Sequence, residues 1–229
     1  MNGDELGIIL LSLKVALASV AFSLPVAIFF AYILARSDFP GKTLLDAAVH
    51  LPLVLPPVVV GFSLLLLFGK HGVLGTWLAD WFGIVFAFRW TGAALASAIM
   101  GFPLMVRAIR LSIAAIDRRL ETVARTLGGS RPWVFVSITL PLALPGIVTG
   151  VLLSFARSLG EFGATITFVS NIPGETETLP LAIYSLVQTP GGDTQALRLS
   201  LIAVVLSVAA LMVSEWLTRR ARISGRSDD

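Results

Sequence analysis

ETVARTLGGSRPWVFVSITLPLALPG, Glu121 to Gly146, lies between long apolar runs and starts unlike either of them. Its opening is polar and helix-like, paired glycines follow, and its end slides into a further apolar run. Asp117 is placed to N-cap a helix over RRLETVART. Leu120, Ala124 and Leu127 fall on one face of that helix, and Glu121 and Arg125 pair at i, i+4 on another. Gly128 and Gly129 supply a left-handed stop. Ser130 then caps a second short helix with Arg131 and Pro132 in its first turn. The pattern is helix, glycine turn, helix. Two uses fit it: a knob inserted into a groove on another protein, or an amphipathic loop on lipid headgroups.

Working outward, the 229 residues are 56% hydrophobic and only 14% charged. A soluble domain carries about a quarter charged residues, so lipid is the solvent for most of this chain. Five runs reach the ~20 apolar residues a crossing needs: about 8–35, 44–68, 88–106, 142–160 and 196–217. Runs of this length exclude barrel strands, so the fold class is an all-α integral membrane bundle in one domain over 1–229. The N-terminus opens with Asp4 and Glu5 where a secretory signal would be basic, so it reads as a retained span.

Lys and Arg set the orientation. With the N-terminus outside, the inner loops hold Arg36, Lys42, Arg107, Arg110, Arg118, Arg119, Arg125, Arg131, Arg219, Arg220, Arg222 and Arg226. The outer segments hold only Lys70, Arg89 and Arg198; Lys14 and Arg157 fall within spans. The C-terminus and the 107–139 elbow are therefore expected in the cytoplasm. Trp77, Trp81, Trp90, Trp133 and Trp216 fall near span ends, as an interfacial belt does. The aromatic loop from Lys70 to Trp90 is expected to lie along the membrane surface.

Within the spans, Pro52, Pro56 and Pro57 bend the second run, either for packing or to line a pathway. Gly146, Gly150, Ser154 and Ser158 form a small-residue stripe on one face of the fourth. It suits close packing inside the subunit, or against a symmetry mate or a sliding helix. At that run's outer end Arg157 and Glu161 are four apart, which fits a structural ion pair or an outer gate. Thr165, Thr167, Ser170 and Asn171 follow, either a polar external loop or neutral hydrogen-bond donors past which a solute moves without being trapped. The run 179–187 is too short to cross and reads as a surface or re-entrant helix. His50 follows Asp46 by four residues, suiting a local hydrogen bond.

Several chemistries are excluded. There is no Cys, and His50 and His71 stand alone, so no metal centre is expected. Gly41–Thr43, GKT, lacks the upstream glycine of a phosphate loop, because that position is Arg36. No nucleophile elbow, HExxH or paired carboxylates are visible, and the chain is not read as an enzyme. The basic residues follow topology, so no nucleic-acid partner is expected.

The elbow resembles the signature of the inner-membrane subunits of ABC importers: Glu-Ala-Ala, three residues, Gly, nine residues, Ile, one residue, Leu-Pro. Here Gly128 is followed by nine residues, then Ile138, Thr139 and Leu140–Pro141. The first half departs, with Thr122 at the family's Glu position, Val123 and Ala124 at the two Ala positions, and Glu121 one residue early. Further stretches (FPGKTLLDAAVHLPLVLPPVVVGF, GFPLMVRAIRLSIAAIDRRLE, SFARSLGEFGATITFVSNIPGETETLP and QTPGG) are similar to the molybdate permeases of that family. The resemblance implies a five-helix permease of the bacterial inner membrane and a coupling region carried by Glu121, Ala124, Gly128, Ile138, Leu140 and Pro141. It also implies a second copy of the chain, two cytoplasmic ATPase subunits that bind the ATP and Mg, and an external oxyanion-binding protein. The cargo it implies is molybdate or tungstate, with sulfate as the neighbouring alternative. An ATP-independent anion transporter is the competing class.

Overall fold

The computed structural model describes residues 3–224, and every regular element among them is helical. The order is α1 (Gly3–Arg36), α2 (Lys42–Val54), α3 (Pro57–Phe68), α4 (Val73–Phe82), α5 (Trp90–Ala115), α6 (Arg118–Thr126) and α7 (Arg131–Val134). A π-helical turn, Phe135–Thr139, leads into α8 (Leu140–Leu142). Then come α9 (Leu144–Leu159), α10 (Gly163–Val169), α11 (Leu179–Val187) and α12 (Asp193–Ser224). Among the described residues three helices, α1, α5 and α12, are long and apolar enough to cross a membrane; the number rises to five if each of two bent pairs is one span.

The expected 44–68 span is not one helix. It divides into α2 and α3, with a bend of 112° between them. Pro56 and Pro57 explain the break, because two consecutive residues lack the N–H that would continue the ladder. Pro56 takes an extended ψ of 133°, and Pro57 restarts the helix at its first position, where a missing donor costs nothing. Pro52 is accommodated inside α2. The expected 88–106 span is also longer: α5 runs past Arg107 and Arg110 to Ala115. Arg110 does not end it, since its Nη1 donates to Asp46 Oδ1 on α2 at 2.6 Å.

A cation–π contact ties α1 to the start of α5. Lys14 Nζ sits 3.7 Å from the centroid of the Trp90 ring at the start of α5. From Lys14 to Arg36 the helix rises about 33 Å, close to the ~30 Å of a hydrocarbon core. The turns before Lys14 extend α1 further, and Glu5–Arg36 as a whole is long and apolar enough to cross. There Ile8 and Ile9 pack with Leu179, Ala182 and Leu199 of α11 and α12. The Leu179 N–H donates to Ser12 Oγ at 2.7 Å, and Arg198 pairs with Glu5 at 3.4 Å. The run 179–187 is thus a helix docked on the α1 and α12 ends. The aromatic loop holds α4, with Trp77 and Trp81 exposed. The side chains of Trp216, Arg219, Arg220, Arg222 and Arg226 lie outside those described.

The core is built on α5, which packs against α1 on one side and α9 on the other. Near the Trp90 end, Val15, Val60, Leu64, Ala96, Met100, Ala164 and Phe168 are buried together. Near the Arg36 end, Ala27, Leu34, Val49, Met105, Ile109, Ile113 and Ile147 close a second cluster. The small-residue stripe of α9 is what lets α5 approach. A Cβ on Gly146 would collide with Ser112 and the Ala108 carbonyl, and one on Gly150 would press tightly on Met105 and Ile109. Ser154 lies against Gly101, and Ser158 shares a 2.9 Å hydrogen bond with Ser19 of α1. Of the readings left open for the stripe, the structure shows packing inside the chain, against α5 and α1.

Candidate coupling surface and buried charge pair

The elbow folds as helix, turn, helix. Asp117 accepts the Arg119 N–H at 2.9 Å, and its side chain caps α6. Beyond α6, Gly128 takes a φ of +92°, its N–H reaches the Arg125 carbonyl at 3.1 Å, and the Gly129 N–H reaches that of Ala124 at 3.0 Å. These are the two crossed bonds of a Schellman stop, and they require the left-handed residue that glycine supplies cheaply. Ser130 occupies the N-cap position of α7, but its side chain makes no capping bond there.

Around this turn the surface is apolar. Leu120, Val123, Leu127, Trp133 and Ile138 line an open cleft of about 660 Å³ with Gly128 at its edge. Leu127 is 83% exposed. Ala124 is buried beneath them, Leu140 packs on the lower core cluster, and Pro141 is exposed. An exposed apolar knob of this kind has the character of an interaction surface.

Glu121 faces the other way, into the protein, and is 4% exposed. Arg36, at the end of α1, donates through Nε to Glu121 Oε1 at 3.0 Å, and its Nη2 lies 2.9 Å from the same oxygen. Thr139 Oγ1, in the π-helical turn, donates to Oε1 at 3.0 Å. Arg36 also donates to the Ile116 carbonyl at the end of α5. The expected i, i+4 partner Arg125 stands 4.0 Å from Glu121 Oε2 and donates instead to the Glu121 carbonyl. The acidic side chain of the elbow therefore fastens the knob to α1, α5 and the π-helical turn. Sequence reading missed Arg36 and Thr139. Arg36 reads as a topology charge, and Thr139 stands between the two matched signature residues Ile138 and Leu140.

At the opposite end, Arg157 Nη1 lies 2.7 Å from Glu161 Oε2, and the Glu161 side chain is fully buried. Its other oxygen accepts the Ala164 N–H at 2.8 Å, holding the start of α10. α10 packs on α3 and α5, with Gly61 against Ala164 and Gly163 against Pro57. Pro57 and α10 are thus neighbours, which spacing does not reveal. Thr165 and Thr167 donate within the segment, to the Phe162 and Gly163 carbonyls, each at 2.8 Å. Ser170 is exposed at a φ of +63°, and its carbonyl accepts from Thr176; Asn171 donates to Glu177 at 3.5 Å. His50 Nδ1 sits 2.9 Å from the Asp46 carbonyl, the expected local bond, beside the Asp46–Arg110 pair. Among the described residues no group of acidic and His side chains is arranged to hold a metal.

This chain belongs to the family of binding-protein-dependent transport system inner membrane components, whose model matches residues 23–223. It is 62% identical over 97% of both chains to the molybdenum transport system permease protein ModB of Escherichia coli K12. The ModB of Haemophilus influenzae is 58% identical over 94% of both chains. The sulfate transport system permease CysT of Escherichia coli K12 is more distant, at 39% identity over 86% of this chain and 69% of its own. The fold resembles a bacterial ABC transporter that imports alginate, at a TM-score of 0.75 and 18% identity, covering 96% of this chain and 80% of that one. It also resembles the MetNI methionine ABC transporter, at 0.71 and 13% identity over 96% and 99%.

Proposed function

We propose that this chain is the permease subunit of an ATP-driven importer that carries molybdate into the bacterial cytoplasm. The observation that carries the mechanism is the exposed apolar knob at Leu120–Gly128, anchored from behind by Glu121 to α1 and α5. A push on such a knob moves the helices to which it is tied. A surface loop resting on lipid would need no buried ion pair beneath it. The relationship to ModB supports the cargo, and the family supports a separate binding protein.

In this reading each bent pair is one crossing, which gives five spans. The Lys and Arg distribution supports an N-terminus outside and the knob and C-terminus inside. Two copies form the pathway, and two ATPase subunits, holding the ATP and Mg, grip the knobs. A periplasmic binding protein delivers the oxyanion at the outer face. ATP binding draws the knobs together and exchanges inward-open and outward-open states. The chain does no chemistry itself. Arg157–Glu161 stands near the outer face, as a structural pair or an outer gate, and holds the start of α10, which packs against Pro57 of the broken span. Among the described residues the Arg157 guanidinium is already engaged by Glu161, which favours passage over tight capture of an anion.

The deciding experiment is uptake in proteoliposomes holding this chain, its ATPase and its binding protein. Molybdate uptake that requires ATP, competed by tungstate and weakly by sulfate, is expected. Uptake without ATP sinks the importer reading and favours a secondary transporter. Sulfate outcompeting molybdate moves the cargo to that of the CysT-like relatives.

A further inference from the structure

Behind the knob lies a second cleft, of about 830 Å³, between α1 and the elbow. Its rim carries Arg118, Arg125 and Arg131, all exposed, while the one carboxylate on it, Glu121, is neutralised by Arg36. Among the described residues no carboxylate lies within 4.0 Å of Arg118 or Arg131, and Arg125 only just reaches Glu121. Exposed Asp38, held low chiefly by Lys42, also feels Arg118, so Arg118 is partly offset and the rim keeps its net positive charge mainly through Arg125 and Arg131. The floor is of opposite character: Pro25, Ile28, Phe29 and Tyr32 of α1 line it, and Phe29 is 60% exposed. Pro25 lies about 16 Å along the helix from Arg36, toward Lys14 and so within the span's hydrocarbon thickness.

We propose that this cleft binds an anionic phospholipid of the leaflet that contacts the elbow. The two halves select this occupant together. Guanidinium groups at a membrane boundary recognise a phosphate by paired, charge-assisted hydrogen bonds. The apolar floor continues the same groove into hydrocarbon, where an acyl chain needs no polar partner. A soluble polypeptide following that groove would bring unsatisfied backbone groups into lipid. A free inorganic anion would use the rim and leave Phe29 and Pro25 uncovered. The lipid bridges α1 to α6 and α7, adding α7 to the α1–α6 link that Arg36 and Glu121 already make. The site rests on α1 crossing the membrane; it does not rest on which way the bundle faces or on transport.

The test is native mass spectrometry of the full chain ejected from nanodiscs made of equal parts phosphatidylglycerol and phosphatidylcholine. The wild type retains phosphatidylglycerol in preference. Removing one charge with Arg131→Gln lowers that preference roughly fivefold, and Arg118→Gln/Arg125→Gln/Arg131→Gln lowers it roughly a hundredfold. Ile28→Trp, which fills the floor and leaves every arginine in place, lowers retention of the lipid as well. Equal retention of the two lipids by the wild type overturns the proposal. So does displacement of the lipid by millimolar phosphate, which makes the rim a free-anion site. Loss of lipid on adding the ATPase subunit also overturns it, by giving the cleft to that partner. Ejection reads lipid alone, so failure here leaves the importer reading intact, and loss of ATP-driven uptake leaves the lipid site intact.

Discussion

Glu121 and Arg36 are 85 positions apart in the chain, yet both are buried and their side chains meet at 2.9–3.0 Å. This contact turns the elbow from a loop into a lever, because it fixes α6 to the end of α1. Its energetic value lies in completeness. A buried pair adds little over an apolar replacement, but removing one partner strands the other charge.

The first prediction follows. Glu121→Ala leaves Arg36 buried beside Thr139 with no counter-charge, and costs about 3–5 kcal/mol. Thr139→Val removes one neutral donor and costs about 1–2 kcal/mol. Thermal unfolding of the detergent-solubilised chain reads both. Equal, small effects from the two substitutions would mean that the pair is solvated and fastens nothing.

The knob's two faces have separable roles. Leu127→Glu changes an 83% exposed side chain and touches no core residue, so insertion and thermal stability stay near wild type. Co-purification of the ATPase and uptake should both be lost. Gly128→Ala meets open space but keeps a φ of +92°, so it costs about 1–2 kcal/mol by strain alone. Gly128→Glu adds charge at the cleft edge and should abolish uptake with the protein still inserted. Normal uptake by Gly128→Glu places the motor contact elsewhere.

The stripe on α9 makes a prediction about a single subunit. Gly146→Val drives side-chain atoms into Ser112 and the Ala108 carbonyl, so α5 and α9 must separate. Overpacking of this kind costs about 1–3 kcal/mol or more. Gly160→Ala, where a Cβ meets open space, is the control and should be near neutral. If Gly146→Val leaves monomer stability unchanged and alters only self-association, the stripe belongs to a dimer contact.

Much of this arrangement is legible in the sequence because it is local. The Asp117 cap, the glycine stop at Gly128 and the break at Pro56–Pro57 each follow from one residue's backbone chemistry. The apolar runs mark the lipid-facing lengths because hydropathy is additive along a helix. What was hidden is long-range. Nothing in the spacing brings Arg36 to Glu121, Pro57 to Gly163 or Ser19 to Ser158, since each depends on which helices become neighbours. The direction Glu121 faces was hidden for the same reason. Helical periodicity places it on a different face, about 100° around from Leu120, and an isolated amphipathic helix would put that face in water. The arrival of α1 behind the elbow buries it instead.

Arg157 and Glu161 supply the last prediction. Glu161 both neutralises Arg157 and accepts the Ala164 N–H in the first turn of α10, so it joins the end of α9 to the segment packed on the broken span. Glu161→Gln keeps an acceptor for Ala164 but removes the charge, leaving Arg157 without a carboxylate. If the pair is a latch, the variant inserts, unfolds within a few degrees of wild type, and binds its ATPase, while ATP hydrolysis runs on without matching uptake. Arg157→Gln/Glu161→Gln, with neither charge present, should recover part of the coupling. If the pair is only a structural brace, Glu161→Gln lowers stability and expression together with uptake, and the double variant restores all of them. The ratio of molybdate moved to ATP hydrolysed separates these outcomes, because a brace leaves that ratio unchanged in whatever protein still folds.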